Sequence, residues 1–262
     1  MIVAVLQARF SSSRLPGKVL KPILGKPMLA LQIERIQRSQ CIDHLIVATS
    51  DRGQDEPIAT LCDQLGVECF RGSLEDVLSR FYQATQAISA QQVVRLTGDC
   101  PLCDPALIDR LIEFHLDGSY DYSSNTIVPT YPDGLDVEVI RFCCLKQAHQ
   151  EAVLPSHREH VTQFIHQQPQ RFKLGDYRDL VDRSSLRWTV DEPLDLELIS
   201  KIYESLYLQN PNFTTQDVLD WLYAHPKWLT HNHCYERNQG LTKTLAADRL
   251  FEQALSSHES SY

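Results

Sequence analysis

Ile2-Val-Ala-Val-Leu-Gln-Ala8 runs straight into Arg9-Phe-Ser-Ser-Ser-Arg14-Leu-Pro-Gly-Lys18, and this junction decides the fold. The first half is a short apolar run of the buried-strand kind. The second half breaks into three serines, two arginines, a Pro16-Gly17 turn signal and a lysine. No acidic residue precedes Glu34, yet Arg9, Arg14, Lys18, Lys21 and Lys26 all fall in that interval, in a chain of formal net charge −9. A cationic segment at the mouth of a buried strand, inside an acidic protein, points to a bound anion. Backbone N–H groups of a Ser/Gly-rich turn can cradle phosphate oxygens while Arg and Lys neutralise them. A solvated basic loop is the plainer reading. It is the weaker one, because ligands of open α/β sheets gather at the carboxyl ends of strands. Lys26 is followed by Pro27, so no G-x-x-x-x-G-K-[ST] is present, and no G-x-G-x-x-G follows the strand. Both absences argue against a P-loop NTPase and a standard dinucleotide binder.

Outward from this junction, apolar runs at 45–49, 67–70 and 93–96 read as further strands. They alternate with amphipathic helices striped by Leu29, Ile33 and Ile36, by Ile58, Leu61 and Leu65, by Leu74, Val77, Leu78 and Phe81, and by Leu107, Ile108, Leu111 and Ile112. Gly66 is placed to stop the second helix. Such alternation predicts an α/β fold with a mostly parallel, Rossmann-like sheet and flanking helices. Further on, strands are predicted at 121–123, 135–140 and 185–190, and helices over 157–167 and from Asp191-Glu-Pro-Leu-Asp195 onward. Residues 1–262 read as one domain, with 123–162 as the candidate substrate or dimerisation segment and a helical C-terminal region at 211–262. Residues 256–262 are expected to fray.

Composition narrows the function classes. The 262 residues are 43% apolar and 23% charged, enough for a sizeable core. No apolar run approaches membrane-spanning length and the N-terminus lacks a signal-peptide pattern, so no membrane partner and a cytoplasmic location are expected. The acidic balance argues against nucleic acid as a partner. Eight scattered cysteines then read as reduced thiols.

Several polar residues stand where chemistry could occur, each with a plainer reading beside it. Asp99, in Leu96-Thr-Gly-Asp-Cys-Pro101, follows a predicted strand; it either caps a turn or offers a carboxylate to Mg²⁺, which takes one or two carboxylates plus phosphate oxygens and water. Asp191, after Trp188-Thr-Val190, is either a helix N-cap or a second metal carboxylate. Asp136 and Glu138 share one strand face, as a solvated acidic face or as acceptors for sugar hydroxyls. Glu159 and His160 open a predicted helix, either as surface groups or as contacts to an acceptor. Asp76 and Arg80 read as an i,i+4 surface pair. Cys100-x-x-Cys103 lacks a second pair at ligand spacing, and His225, His231, His233 and Cys234 fit no zinc template.

Ala8-Arg-Phe-Ser-Ser-Ser-Arg-Leu-Pro-Gly-Lys18, followed by Gly25-Lys-Pro-Met28, resembles the opening of the CMP-KDO synthetase and acylneuraminate cytidylyltransferase family. Leu96-Thr-Gly-Asp-Cys-Pro-Leu102 and Arg187-Trp-Thr-Val-Asp-Glu-Pro-Leu-Asp195 are similar to its two metal-aspartate motifs. Pro132-Asp-Gly-Leu-Asp-Val-Glu138, Arg158-Glu-His-Val-Thr162 and Arg237-Asn-Gln-Gly240 resemble the spore coat polysaccharide biosynthesis protein F branch. The resemblance spans nearly the whole chain. It implies a nucleotidyltransferase fold like that of GT-A glycosyltransferases, with CTP as co-substrate, Mg²⁺ as cofactor and a homodimer. By position it places Arg14 and Lys18 on the triphosphate, Asp99 and Asp191 on the metal, and Ala8, Arg9, Ser13 and Arg95 around the nucleotide. Arg14, Lys18 and Asp99 would then be catalytic, and Asp136, Glu138, Glu159 and His160 would face a small sugar or acid-sugar acceptor. Position 95 is Arg where the KDO enzymes carry Gln. The reaction implied is CMP transfer from CTP with release of pyrophosphate. The alternatives are a GT-A-like glycosyltransferase, for which no D-x-D motif is evident, and a nucleotide-binding protein with a lapsed site.

Overall fold

A computed structural model describes residues 1–235, 237, 244–251 and 253. In chain order its first elements are β1 (Ile2–Gln7), the short hairpin β2 (Pro22–Ile23) and β3 (Lys26–Pro27), α1 (Met28–Ile36), β4 (His44–Ser50), α2 (Glu56–Leu65), β5 (Glu68–Gly72), α3 (Val77–Gln86) and β6 (Gln92–Thr97). There follow α4 (Pro105–Asp117), β7 (Tyr122–Ser124), β8 (Glu138–Arg141), α5 (Phe142–Glu151), α6 (Pro155–His160), α7 (Gln163–His166) and β9 (Leu174–Asp176). The last are α8 (Pro193–Leu206), α9 (Thr215–Ala224) and α10 (Pro226–Leu229).

Seven strands form one sheet in the order β5-β4-β1-β6-β8-β7-β9. All neighbours are parallel except β8, which runs antiparallel to both β6 and β7. β1 lies near the centre, and Val3 to Leu6 are fully buried because both faces are covered. Val3 and Val5 pack with Phe81 and Leu145 on one face; Ala4 and Leu6 pack with Leu29, Ile33 and Ile108 on the other. A third cluster gathers around Trp188, Tyr203 and Phe213 and seats α8 and α9 against the carboxyl end of the sheet. Gly66 ends α2 in the left-handed conformation, as its position predicts.

The expected α/β, mostly parallel sheet is present, but the second half departs from expectation in three places. The stretch 185–190 forms no strand: Ser185 lies in a turn, and the only ladder contact among the described residues is an isolated bridge between Asp133 and Arg187. The single helix expected over 157–167 is broken at Val161, whose φ of 62° and ψ of −55° close a γ-turn with Thr162 N donating to His160 O at 2.6 Å. The segment 174–176 is a strand, too short to show any periodicity. Segment 123–162 contributes β8 to the sheet interior, with Leu135, Val137 and Val139 buried. The expected fraying at 256–262 lies outside the described residues.

Candidate active site

The carboxyl ends of β1 and β6 lie side by side, and Gly98 N donates to Gln7 O at 2.8 Å. Asp99 follows at once. It caps no helix, because Asp104 does that for α4 through the backbone N–H groups of Ala106 and Leu107. Asp99's backbone is tied instead to the 187–191 stretch: Val190 N donates to its carbonyl at 2.8 Å. Asp191 is likewise not a cap, since Glu192 and Asp195 form the capping box of α8. Both carboxylates are therefore free to face the loop after β1, and they converge on Lys18 Nζ at 2.8 Å for Asp99 and 2.7 Å for Asp191. Arg14 reaches Asp191 Oδ1 at 2.8 Å. Burial works against the charge on Lys18, but Asp99 and Asp191 outweigh it and raise its pKa. Burial likewise opposes charge on Asp99, and Lys18 overcomes it, holding the carboxyl well below the usual range.

Two cavities meet at this cluster. The first, about 580 Å³, runs over Ala8, Arg9 and Ser11 to Arg14 to a far wall at Val77 and Arg80. The second, about 360 Å³, is walled by Arg95, Asp133, Asp136, Glu138 and Arg187. Arg14, Thr97, Asp99, His160 and Asp191 line both. Of the residues singled out in the sequence, Ala8, Arg9, Ser13, Arg14, Lys18, Glu159 and His160 thus line the first cavity, and Asp136 and Glu138 the second. Arg95, expected beside Ala8 and Arg9, stands on the wall of the second, donating to Glu138 and, at 3.3 Å, to Gln7 Oε1. Glu138 also accepts from Tyr122 Oη at 2.7 Å, so it is buried and paired rather than part of a solvated face. Asp136 accepts from Arg237 at 2.6 Å. Burial raises its pKa, and Glu138 and Asp99 add to this against Arg237. Glu159 and His160 are joined through Thr244, which donates to Glu159 Oε2 at 2.9 Å and lies 3.1 Å from His160 Nε2. Burial lowers the pKa of His160.

Behind Asp191 stands Arg187, which no local motif singles out. Arg187 contacts Asp191 at 3.1 Å, Asp195 at 3.0 Å and Asp133 at 3.0 Å, while Asn232 donates to Asp195 at 2.7 Å. Its i,i+4 spacing to Asp191 was visible, but the contact with Asp133 depends on a distant turn. That turn needs Gly134: its φ is +107°, and a Cβ there would lie 2.5 Å from Thr189 N. Burial and neighbouring Asp136 push Asp133 up to about 6, although Arg237 and Arg187 pull the other way. A second miss is Arg80. It makes no surface pair with Asp76, which instead caps α3 and pairs with Arg158; Arg80 itself is 2% exposed.

Asp99 and Asp191 already converge on one cation, the Lys18 ammonium. Two carboxylates at the junction of the cavities suit a hard divalent ion that completes its shell with phosphate oxygens and water. Among the described residues no group of three or more His, Cys, Asp or Glu side chains could hold a metal by itself.

The sheet order, the single reversed strand and the loop after β1 that meets Asp99 and Asp191 define an enzyme of the nucleotidyltransferase fold. More narrowly, the chain belongs to the cytidylyltransferase family, whose model matches residues 3–216. It is 36% identical over 228 residues to an uncharacterised protein of Methanocaldococcus jannaschii, covering 86% of this chain and 92% of that one. It is 32% identical over 233 residues to the spore coat polysaccharide biosynthesis protein SpsF of Bacillus subtilis, covering 86% and 95%. Among solved structures, a cytidylyltransferase from Leptospira borgpetersenii superposes with a TM-score of 0.84 at 27% identity, covering 90% of this chain and 99% of that one. No helix among the described residues is long and apolar enough to cross a membrane.

Proposed function

We propose that the protein transfers CMP from CTP to a hydroxyl of a small sugar or acid sugar, releasing pyrophosphate, in the synthesis of a surface polysaccharide or glycan. The observation that carries this reading is the meeting of two cavities at Asp99 and Asp191, the two carboxylates that Lys18 bridges. A transfer needs a donor and an acceptor on opposite sides of one phosphorus, and this junction lies between two such spaces. CTP occupies the first cavity, with its α-phosphorus at the junction. Backbone and hydroxyl groups of Ser11 to Ser13 receive the triphosphate, and Arg14 and Lys18 neutralise the pyrophosphate as it leaves. The acceptor occupies the second cavity, where Asp136 and Glu138 take hydrogen bonds from its hydroxyls, with His160 and Glu159 at the shared rim.

Asp99 and Asp191 would hold Mg²⁺, which when bound supplies positive charge to the phosphate oxygens. The chain's own contribution is positioning. Arg187 fixes the rotamer of Asp191, the β6 end fixes Asp99, and Lys18 has a charge held firmly positive that can pass from the carboxylates to the phosphates. No covalent intermediate with the protein is required. Incubation with α-phosphate-labelled CTP, Mg²⁺ and a panel of sugars and acid sugars tests the proposal. Acceptor-dependent pyrophosphate release with label in a CMP conjugate is the expected result. Turnover of a finished nucleotide sugar without pyrophosphate would replace it with glycosyl transfer.

A further inference from the structure

Asp55 is a fully buried carboxylate whose partners among the described residues are all uncharged. It stands at the N-cap position of α2, where an Asp side chain ordinarily accepts from the first backbone N–H groups of the helix. Here it makes no such bond. Its two oxygens serve other elements. Oδ2 accepts from Ser50 N at 3.1 Å and from the Ser50 hydroxyl, at the carboxyl end of β4. Oδ1 accepts from Phe10 N at 2.7 Å, at the start of the loop after β1. Three donors thus converge on one side chain, and only an ionised carboxylate accepts at both oxygens. An Asn in its place would set its own N–H₂ against Phe10 N–H or Ser50 N–H.

Phe10 carries that anchor into the loop. Its carbonyl accepts from Ser12 N and from Gly17 N, both at 3.0 Å. Its ring lies against Gly17, which has a φ of +66° and where a Cβ would come 2.9 Å from the Phe10 Cε2. The loop is therefore pinched at its base, between residues 10 and 17. Ser11 to Arg14, between the pinched ends, line the first cavity. Lys18 is the residue after Gly17, and its ammonium spans Asp99 and Asp191. One line of contacts thus runs from β4 through Asp55, Phe10 and Gly17 to Lys18. Asp55 itself lines neither cavity. A carboxylate behind an anion-binding loop has the wrong sign to attract the anion. What it contributes there is geometry.

We propose that Asp55 is a positioning residue for the transfer: it fixes the base of the loop, so that the Lys18 ammonium already stands where the triphosphate will lie. This rests on the reading of the first cavity as the CTP site. A loop held in its bound shape loses less freedom when the ligand arrives. A contacting group displaced by a fraction of its reach loses much of its effect. Asp55 therefore acts on CTP through Lys18 and not by touching it.

The test is a double-mutant cycle: calorimetric titration of CTP, in Mg²⁺, into wild type, Asp55→Asn, Lys18→Ala and the double variant. Asp55→Asn is expected to weaken CTP binding about tenfold, the scale of one lost hydrogen bond. In the Lys18→Ala background the same substitution is expected to cost less than about twofold, because the group that it positions is already gone. Equal losses in both backgrounds, or no loss in either, would overturn the proposal and leave Asp55 a purely structural residue. A second arm needs only wild-type protein, so it holds if a variant does not fold. Amide hydrogen exchange without nucleotide should show the Phe10 and Gly17 N–H groups protected well above the Ser11 and Ser13 N–H groups between them. Exchange at Phe10 as fast as at Ser11 would show that the base is not held in advance, and would overturn the proposal. Absence of CTP binding by the wild type would sink the CTP reading and this role with it, whereas CTP binding with additive losses sinks only the role of Asp55.

Discussion

The loop after β1 and the network around Arg187 both gather charge at the carboxyl end of the sheet, but they do so in opposite ways. In the loop, Arg9, Ser13, Arg14 and Lys18 line an open cavity, and Arg14 and Lys18 reach across to Asp191 and Asp99. Around Arg187 three carboxylates share one cation: the 6%-exposed guanidinium serves Asp133, Asp191 and Asp195, and Asp195 is 0% exposed. The first arrangement leaves capacity for a ligand. The second holds a geometry, and Asp191 belongs to both. Charge density alone therefore does not mark a site. What separates the two is access: the loop cations line the first cavity, whereas Asp195, which Arg187 holds through two hydrogen bonds, is fully buried.

That contrast can be broken most severely from the scaffold side. Arg187→Met leaves a buried Asp195 without its cation, and about 3–5 kcal/mol of stability should disappear, read as a lower urea midpoint at unchanged m-value. A smaller loss would mean that the network is wetter than its burial indicates. On the site side, Asp99→Asn should lower turnover by about 10²–10³, or 3–4 kcal/mol, while the unfolding midpoint stays close to that of wild type. Retained turnover would remove Asp99 from the chemistry.

A third expectation concerns acid. His115 is 1% exposed, with Nδ1 2.9 Å from Ser123 Oγ and Nε2 3.1 Å from Gln92 Oε1, and burial, reinforced by Arg141, lowers its pKa from 6.5 to about 4. Because the folded value lies below the unfolded one, stability present above pH 6.5 is lost as pH falls toward 4. The full gap corresponds to about 3 kcal/mol. His115→Gln should flatten the stability profile over that window; an unchanged slope would assign the acid sensitivity elsewhere. The smallest effect belongs to Lys26. Although it lies in the same basic stretch, it pairs outside the cavity with Glu34 at 3.3 Å and Tyr207 Oη at 2.9 Å, half exposed. Lys26→Ala should cost below about 1 kcal/mol and leave CTP binding unchanged. A marked loss of binding would extend the site beyond Lys18.

Local signals in the sequence were enough for the first half of the fold. An apolar strand, a helical stripe and Gly66 each depend on neighbours in the chain, and the parallel sheet follows from their alternation. The second half depends on distant partners. Residues 174–176 become a strand only because β7 is there to pair with them. Residues 185–190 stay outside the sheet because Asp99 and Asp133 take up their backbone groups. Val161 has an ordinary apolar side chain, and nothing local announces a positive φ. For the site, the pairing of Asp99 with Asp191 could be suspected because both follow apolar runs. Arg80 could not, since its i,i+4 spacing to Asp76 has the form of any surface pair. Its burial is set by α3 facing the end of β1.

In the proposed reaction the first cavity takes CTP with a divalent metal at Asp99 and Asp191, and Lys18 passes its charge to the phosphates. Titration of CTP into wild type and Lys18→Ala, with and without Mg²⁺, tests this most directly. The expected result is tight binding by wild type that depends on Mg²⁺ and weakens about 30-fold in the variant. CTP binding indifferent to both metal and Lys18, or no CTP binding by the wild type, would contradict it.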